Sequence, residues 1–364
     1  MLNRKLLPDK YLSIIYIALL IAGLVSIYGA QTIHEPNTSY FNNHLKLLSL
    51  MFAFTIFIII IPDFFFVLDK MVPIILLFTL ILLTLVYFFG ITVTSSYAKR
   101  WLLLPFGITI QPSEIAKITC SIYFASVLSK KGEKLIDIKK GLFPPLLILA
   151  LVSGLILIEP DSGTALLFSI VGFAVFFYGG IPLKSIFLSG IFILIIFSIF
   201  IFNTPYMKNR VLSYLYPQNQ PEEEVYQIRR AKLAFNYGGI SGIPDENIRD
   251  VSTHLPAALT DFIYASVAQR YGLIGNLIIL LLFLSFTIRG FIISSRTNDL
   301  FLKNLSFAIT MFISVQAYLN IMVATLMLPT TGMTLPIISY GRNALVVNMI
   351  MIAILLKITQ RREQ

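Results

Sequence analysis

Ten apolar runs dominate the chain: Tyr11–Ala30, Leu47–Ile61, Met71–Ile91, Ile108–Leu128, Leu142–Ile158, Gly163–Gly179, Ile186–Phe202, Phe262–Ile288, Leu305–Leu328 and Ile337–Ile358. A helix needs about 20 mostly apolar residues to cross a bilayer core. Within that core each backbone N–H and C=O must find its partner inside the protein. The pattern therefore predicts an all-α, polytopic membrane protein of about ten transmembrane helices, folded as a single domain over residues 1–364. Two runs, those starting at Leu47 and Gly163, sit at the lower edge of a spanning length. Only 13% of the residues are charged and 57% are hydrophobic, which excludes a water-soluble globule. The first run is too long for the apolar part of a signal peptide and reads as a retained helix.

Charge then sets orientation. A formal net charge of +10 would suggest nucleic acid in a soluble protein; here it has to be placed relative to the bilayer first. Counting connections from an inner N-terminus, the inner side collects Lys10, Lys70, Lys130, Lys131, Lys184, Arg289, Arg296, Lys303, Lys357 and Arg361 among others. The short outer loops hold only Lys46, Lys99 and Arg100. By the positive-inside rule both termini are expected in the cytoplasm, and no nucleic-acid partner is expected.

One connection is long, from Asn203 to Thr260 between the seventh and eighth spans, and by parity it faces outward. It mixes Lys208, Arg210, Arg229, Arg230, Lys232 and Arg249 with Glu222, Glu223, Glu224, Asp245, Glu246 and Asp250. Loops of this size are functional or disordered. Its aromatic residues, among them Tyr214, Tyr216 and Tyr226, argue that it folds back on the membrane surface.

Cys120 lies in an apolar run and His34, His44 and His254 are scattered, so neither a disulfide framework nor a Cys/His metal site is indicated. Chemistry has to come from ionisable groups placed where lipid should be, which are expensive unless paired or wetted. Glu114 and Lys117 are three apart and share a helix face; they form either an internal ion pair or a substrate-facing lysine steadied by its acid. Asp161, in Glu159-Pro160-Asp161-Ser162-Gly163-Thr164, is either a helix N-cap or a site residue. Asp261, where the large loop meets the eighth span, is either a cap or a base reaching both headgroups and water. Arg342 follows a segment rich in helix breakers, Pro329 to Pro336, that suits a cavity wall. Arg270 is expected nine residues into the eighth span, about 13 Å down, facing the bundle interior.

Taken in order, Arg100-Trp101, Gln111-Pro112-Ser113-Glu114 with Lys117, Pro160-Asp161-Ser162-Gly163-Thr164, Thr260-Asp261-Phe262-Ile263, and Leu328-Pro329-Thr330 through Ser339-Tyr340-Gly341 resemble the SEDS family of shape, elongation, division and sporulation proteins. The resemblance covers nearly the whole chain. It implies a peptidoglycan glycosyltransferase that polymerises lipid II outside the bacterial cytoplasmic membrane and works with a class B penicillin-binding protein and other cell-division proteins. Asp261 takes the family's catalytic position. Lys117, Glu114, Arg100, Arg210, Asp161, Gln227, Ser339 and Arg342 are the substrate-binding candidates. Thr334 is more like the division branch than the elongation branch.

The implied reaction is an inverting transfer in which Asp261 acts as general base. Positive charge from Lys117, Arg210 or Arg100 meets the departing undecaprenyl pyrophosphate. A divalent cation would also suit that leaving group, but no carboxylate cluster at metal spacing identifies one, so no metal ligand is assigned. Ala257, either Gln269 or Arg270, Arg342 and Asn343 depart from the family's usual residues. The rival readings are a lipid flippase or transporter, an elongation-type polymerase, and a non-catalytic division scaffold.

Overall fold

The computed structural model describes residues 7–62, 64–92, 99–132, 137, 141–219, 222–244 and 255–361. Arg249, Asp245, Glu246, Asp250 and His254 lie outside the described residues, and nothing is concluded about the side chains of Glu222, Glu223 and Glu224. Ten long helices account for the ten apolar runs: α1 Lys10–His34, α2 Tyr40–Ile60, α3 Phe64–Phe89, α4 Pro112–Lys131, α5 Phe143–Ile158, α6 Ser162–Tyr178, α7 Leu183–Asn203, α10 Ile263–Arg296, α11 Leu300–Ala324 and α12 Arg342–Arg361. The large loop contributes α8 Pro205–Leu215 and α9 Glu222–Gly238. Seven of the ten are long and apolar enough to cross a membrane, while α5 and α6 are apolar but shorter. The remaining helix, α4, carries Glu114 and Lys117 in its first turns.

Polarity is arranged inside out relative to a soluble protein. Phe187, Phe192 and Phe202 on α7 are 64–67% exposed, whereas Lys117, Asp161, Gln316 and Asn348 are buried. Such an apolar exterior is stable only against acyl chains, so the chain is a multi-pass membrane protein. At the centre, α11 packs against α10, α4, α6 and α12. At the edge, α7 packs mainly on α6 and α8. Arg289 forks onto Asp9, tying α10 to the chain just before α1.

Three boundaries differ from the sequence expectation. α2 starts at Tyr40 rather than Leu47, because Asn42, Asn43, His44 and Lys46 are helical although polar. The run from Ile108 does not begin as helix. Leu102–Leu103 (β1) and Thr109–Ile110 (β2) form an antiparallel hairpin that turns through Phe106 and Gly107, both at positive φ. Pro112 then opens α4 at a position where its missing N–H costs nothing. In the last run, residues 337–341 are irregular and α12 begins only at Arg342.

The largest correction concerns the eighth span. α10 is broken at Gly272, which adopts φ 66° and ψ −162°. The Tyr264 hydroxyl donates to the carbonyl of Asn276 at 3.1 Å, although twelve residues of straight helix cover about 18 Å. Residues 263–271 therefore double back along the following turns, and the membrane-crossing part starts after Gly272. Arg270 is not buried down a span; it sits at the fold-back, donating to the carbonyl of Ile243 at 3.2 Å. The break is held from outside. Main-chain bonds run from Ile243 to Gln269 (3.0 Å), Leu273 to Gly239 (3.0 Å) and Ile274 to Ile240 (3.3 Å). Gly242 makes this approach possible, since a side chain there would overlap the carbonyl of Arg270.

Candidate active site

The linker ahead of α10 is fixed by its backbone. Asn320 Nδ2 donates to the carbonyl of Asp261 at 2.9 Å and to that of Met333 at 2.7 Å. Ser339 Oγ donates to the carbonyl of Thr260 at 2.6 Å, and the Tyr340 N–H to the carbonyl of Leu259 at 2.8 Å. The main chain of Asp261 is thus pinned on both sides. The Asp261 side chain does not cap α10: the N-cap position is Phe262, with no side-chain capping bond.

It points instead at two guanidinium groups. Gly332, at φ 78°, occupies the left-handed region, and a Cβ there would stand 3.2 Å from Arg100 Nη1, 3.8 Å from Asp261 Oδ2 and 3.9 Å from Arg210 Nη1. One carboxylate and two cations therefore converge on a single point that only glycine leaves open. Arg100 comes from the segment before β1 and is itself braced, donating to the Pro160 carbonyl at 2.7 Å and pairing with Asp161 at 3.7 Å. Arg210, on α8, donates to the Thr330 carbonyl at 3.3 Å. The loop helix thus supplies a group to the same point as the bundle.

Burial pushes the Asp261 carboxyl up from its ordinary value; Arg210 and then Arg100 pull it back, while Asp161 adds to the rise. Glu159, in the turn between α5 and α6, has both carboxylate oxygens buried without a hydrogen bond. Burial first and Asp161 second push it up to about 9, against Arg100, so it is neutral at pH 7. Asp161 accepts from the Thr164 N–H at 3.2 Å as N-cap of α6 and also pairs with Arg100.

The other sequence candidates divide. Lys117 and Glu114 form a 2.6 Å ion pair, and Lys117 Nζ also donates to Gln316 Oε1 at 2.7 Å. Only 1% of the Lys117 side chain is exposed, and it is not among the three nearest groups that meet at Gly332. Its link to the site runs through Gln316, whose Nε2 donates to the carbonyl of Thr334 at 2.9 Å. Ser339 braces the linker and is buried. Gln227 is half-buried on α9 and is not among the groups that meet at Gly332. Arg342 is exposed and lines a separate cavity against α2. Among the described residues no group of three or more His, Cys, Asp or Glu side chains gathers to hold a metal ion.

Sequence reasoning passed over Gln316, Asn320 and Gly332. The signal for the first two was present: two amides four residues apart within an apolar helix share one face, and buried amides have to be satisfied.

A family model described as "Cell cycle protein", covering FtsW, RodA and SpoVE, matches residues 10–364. A protein of Geobacter sulfurreducens named "Probable peptidoglycan glycosyltransferase FtsW" is 35% identical over 287 residues, 79% of this chain and 77% of its own. One of the same name from Geobacter metallireducens is 32% identical over 357 residues, covering 97% and 95%. Among solved structures, a chain of a peptidoglycan synthase complex, described as coordinating polymerization and crosslinking, superposes with a TM-score of 0.79 at 24% identity, covering 98% of this chain and 99% of that one. The rod shape determining protein RodA of Thermus thermophilus superposes with a TM-score of 0.72 at 20% identity, covering 98% of each. At these identities the structures speak for the fold alone.

Proposed function

The chain belongs to the FtsW/RodA/SpoVE family of cell cycle proteins, and from that membership we propose how Asp261 and its neighbours perform the family's reaction. The protein is a peptidoglycan glycosyltransferase, of the FtsW type that the two Geobacter relatives are named for, and its place is in cell division. It polymerises lipid II at the outer face of the bacterial cytoplasmic membrane, with both termini in the cytoplasm and a class B penicillin-binding protein as partner. The observation that carries the reading is the convergence of Asp261, Arg100 and Arg210 on Gly332.

The 4-hydroxyl of one lipid II is a poor nucleophile. Asp261 takes its proton as the oxygen attacks the anomeric carbon at the lipid-linked end of the growing strand, a contribution of about 10² to 10⁴ in rate. The bond from that carbon to pyrophosphate breaks on the opposite face, so the α-linked donor becomes a β-1,4 product. Negative charge then grows on the pyrophosphate, and Arg100 and Arg210 neutralise it from fixed positions. Preorganisation matters most here: Asn320, Ser339 and the Pro160 carbonyl hold the carboxylate linker and Arg100 before substrate arrives.

Lys117 and Glu114 are assigned a positioning role through Gln316 and the 330s segment. The test is polymerisation of lipid II by the purified full chain with its synthase partner. Asp261→Asn, which keeps size and hydrogen bonding, abolishes polymer while leaving the melting temperature near that of the native protein. Polymer at the native rate from Asp261→Asn would refute the assignment.

A further inference from the structure

A cavity of about 350 Å³ lies between α2 and the start of α12, lined by His44, Lys46, Leu47, Leu50, Tyr340 and Arg342 among others, and it has no part in the chemistry above. Its wall is shared with the site: the same Ser339–Tyr340 segment that bonds the carbonyls of Thr260 and Leu259 presents the Tyr340 ring to the cavity. The cavity therefore lies at the Asp261 end of the bundle. Lys46 is six residues into α2, about 9 Å along its axis, and Leu50 one turn further is 66% exposed where lipid chains pass. Charge at the mouth and apolar surface beneath it match the headgroup boundary of a leaflet.

Lys46 and Arg342 are both exposed, and neither forms an ion pair among the described residues. His44 is 2% exposed and sets its ring 6.2 Å from that of Tyr340, so it forms part of the wall. Two cations and an apolar floor ask for oxygen acceptors carrying negative charge, attached to an acyl or prenyl chain. We infer that this cavity binds the phosphate headgroup of a lipid anchored in the outer leaflet, with Lys46 and Arg342 pairing the phosphate.

The test is lipid retention by the purified full chain in native mass spectrometry. The probes are dioleoylphosphatidylglycerol, undecaprenyl pyrophosphate and, as the phosphate-free control, dioleoylglycerol. The native protein retains at least one phosphate probe and not the control. The double variant Lys46→Ala/Arg342→Gly loses that probe by at least about tenfold, the loss expected for one charge-assisted hydrogen bond. Lys46→Arg/Arg342→Lys keeps it, which separates lost charge from lost fold. Every arm is run in an Arg100→Gln/Arg210→Gln background, which removes the pyrophosphate position at the reaction centre, so that undecaprenyl pyrophosphate reports this cavity alone. Loss confined to phosphatidylglycerol names a bilayer phospholipid as the occupant, and loss confined to undecaprenyl pyrophosphate names the reaction's own leaving group. Equal retention by native and double-variant protein, or equal retention of dioleoylglycerol, overturns the inference.

Discussion

Asn320, on the central helix α11, holds the main-chain carbonyl of Asp261 at 2.9 Å and that of Met333 at 2.7 Å with one side-chain amide. A single buried group thus sets the distance between the linker carrying the carboxylate and the irregular segment carrying Gly332. Asn320→Leu leaves two carbonyls without their donor, at about 1–3 kcal/mol for each buried group. Polymerisation is expected to fall by about 100-fold while the melting temperature drops only modestly. A fall in activity matched by equal loss of folded protein would remove the positioning role.

Gly332→Ala tests the convergence point. The new methyl sits 3.2 Å from Arg100 Nη1 at a φ of 78°, so backbone strain of about 1–3 kcal/mol accompanies displacement of the guanidinium. Steady-state assays are expected to show a raised KM for lipid II together with a lower kcat. Unchanged kinetics would mean that the point is not where substrate lies.

The carboxyl of Asp261 predicts the pH profile. A general base works only when deprotonated, so the rate falls as pH drops through its pKa. Burial raises that pKa, with Arg210 the first of the charges opposing the rise, and the acid limb therefore lies above the ordinary carboxylate range. Arg210→Gln removes that opposition, raises the pKa further and moves the acid limb to higher pH. The native-to-variant rate ratio should be largest in acid and shrink as pH rises; a limb that stays in place would separate Asp261 from the titration.

Glu114 and Lys117 are predicted to behave as a unit. Lys117→Met alone leaves a buried carboxylate unpaired, at about 3–5 kcal/mol, and should lower the melting temperature sharply. Glu114→Gln/Lys117→Met removes both charges and should recover most of that loss. If the double variant is stable yet makes polymer poorly, the pair acts on the site through Gln316; full activity would make it purely structural.

The bundle was legible because a spanning helix has to be apolar along its length. Glu114–Lys117 and the capping Asp161 were legible because their partners are three residues away. The fold-back at Gly272 was not. A glycine in an apolar stretch is compatible with unbroken helix, and what breaks it is hydrogen bonding from residues 239–243, about thirty residues earlier in the chain. Asn320 and Gln316 carry no charge and escaped a search for ionisable groups. The breaker-rich approach to Arg342 points to a cavity wall, and Arg342 lines a cavity; which side of the Ser339–Tyr340 segment its side chain takes is set by packing and not by local sequence.

The reversal at Gly272 makes residues 263–271 a short lever. At one end is Asp261; at the other, the Ile243 N–H donates to the carbonyl of Gln269 and Arg270 donates to that of Ile243, while Leu273 and Ile274, just beyond the break, bond Gly239 and Ile240. The arc 239–243 therefore grips both limbs of the reversal, so a stretch of aqueous loop shares with the bundle the task of fixing where the reactive carboxylate hangs.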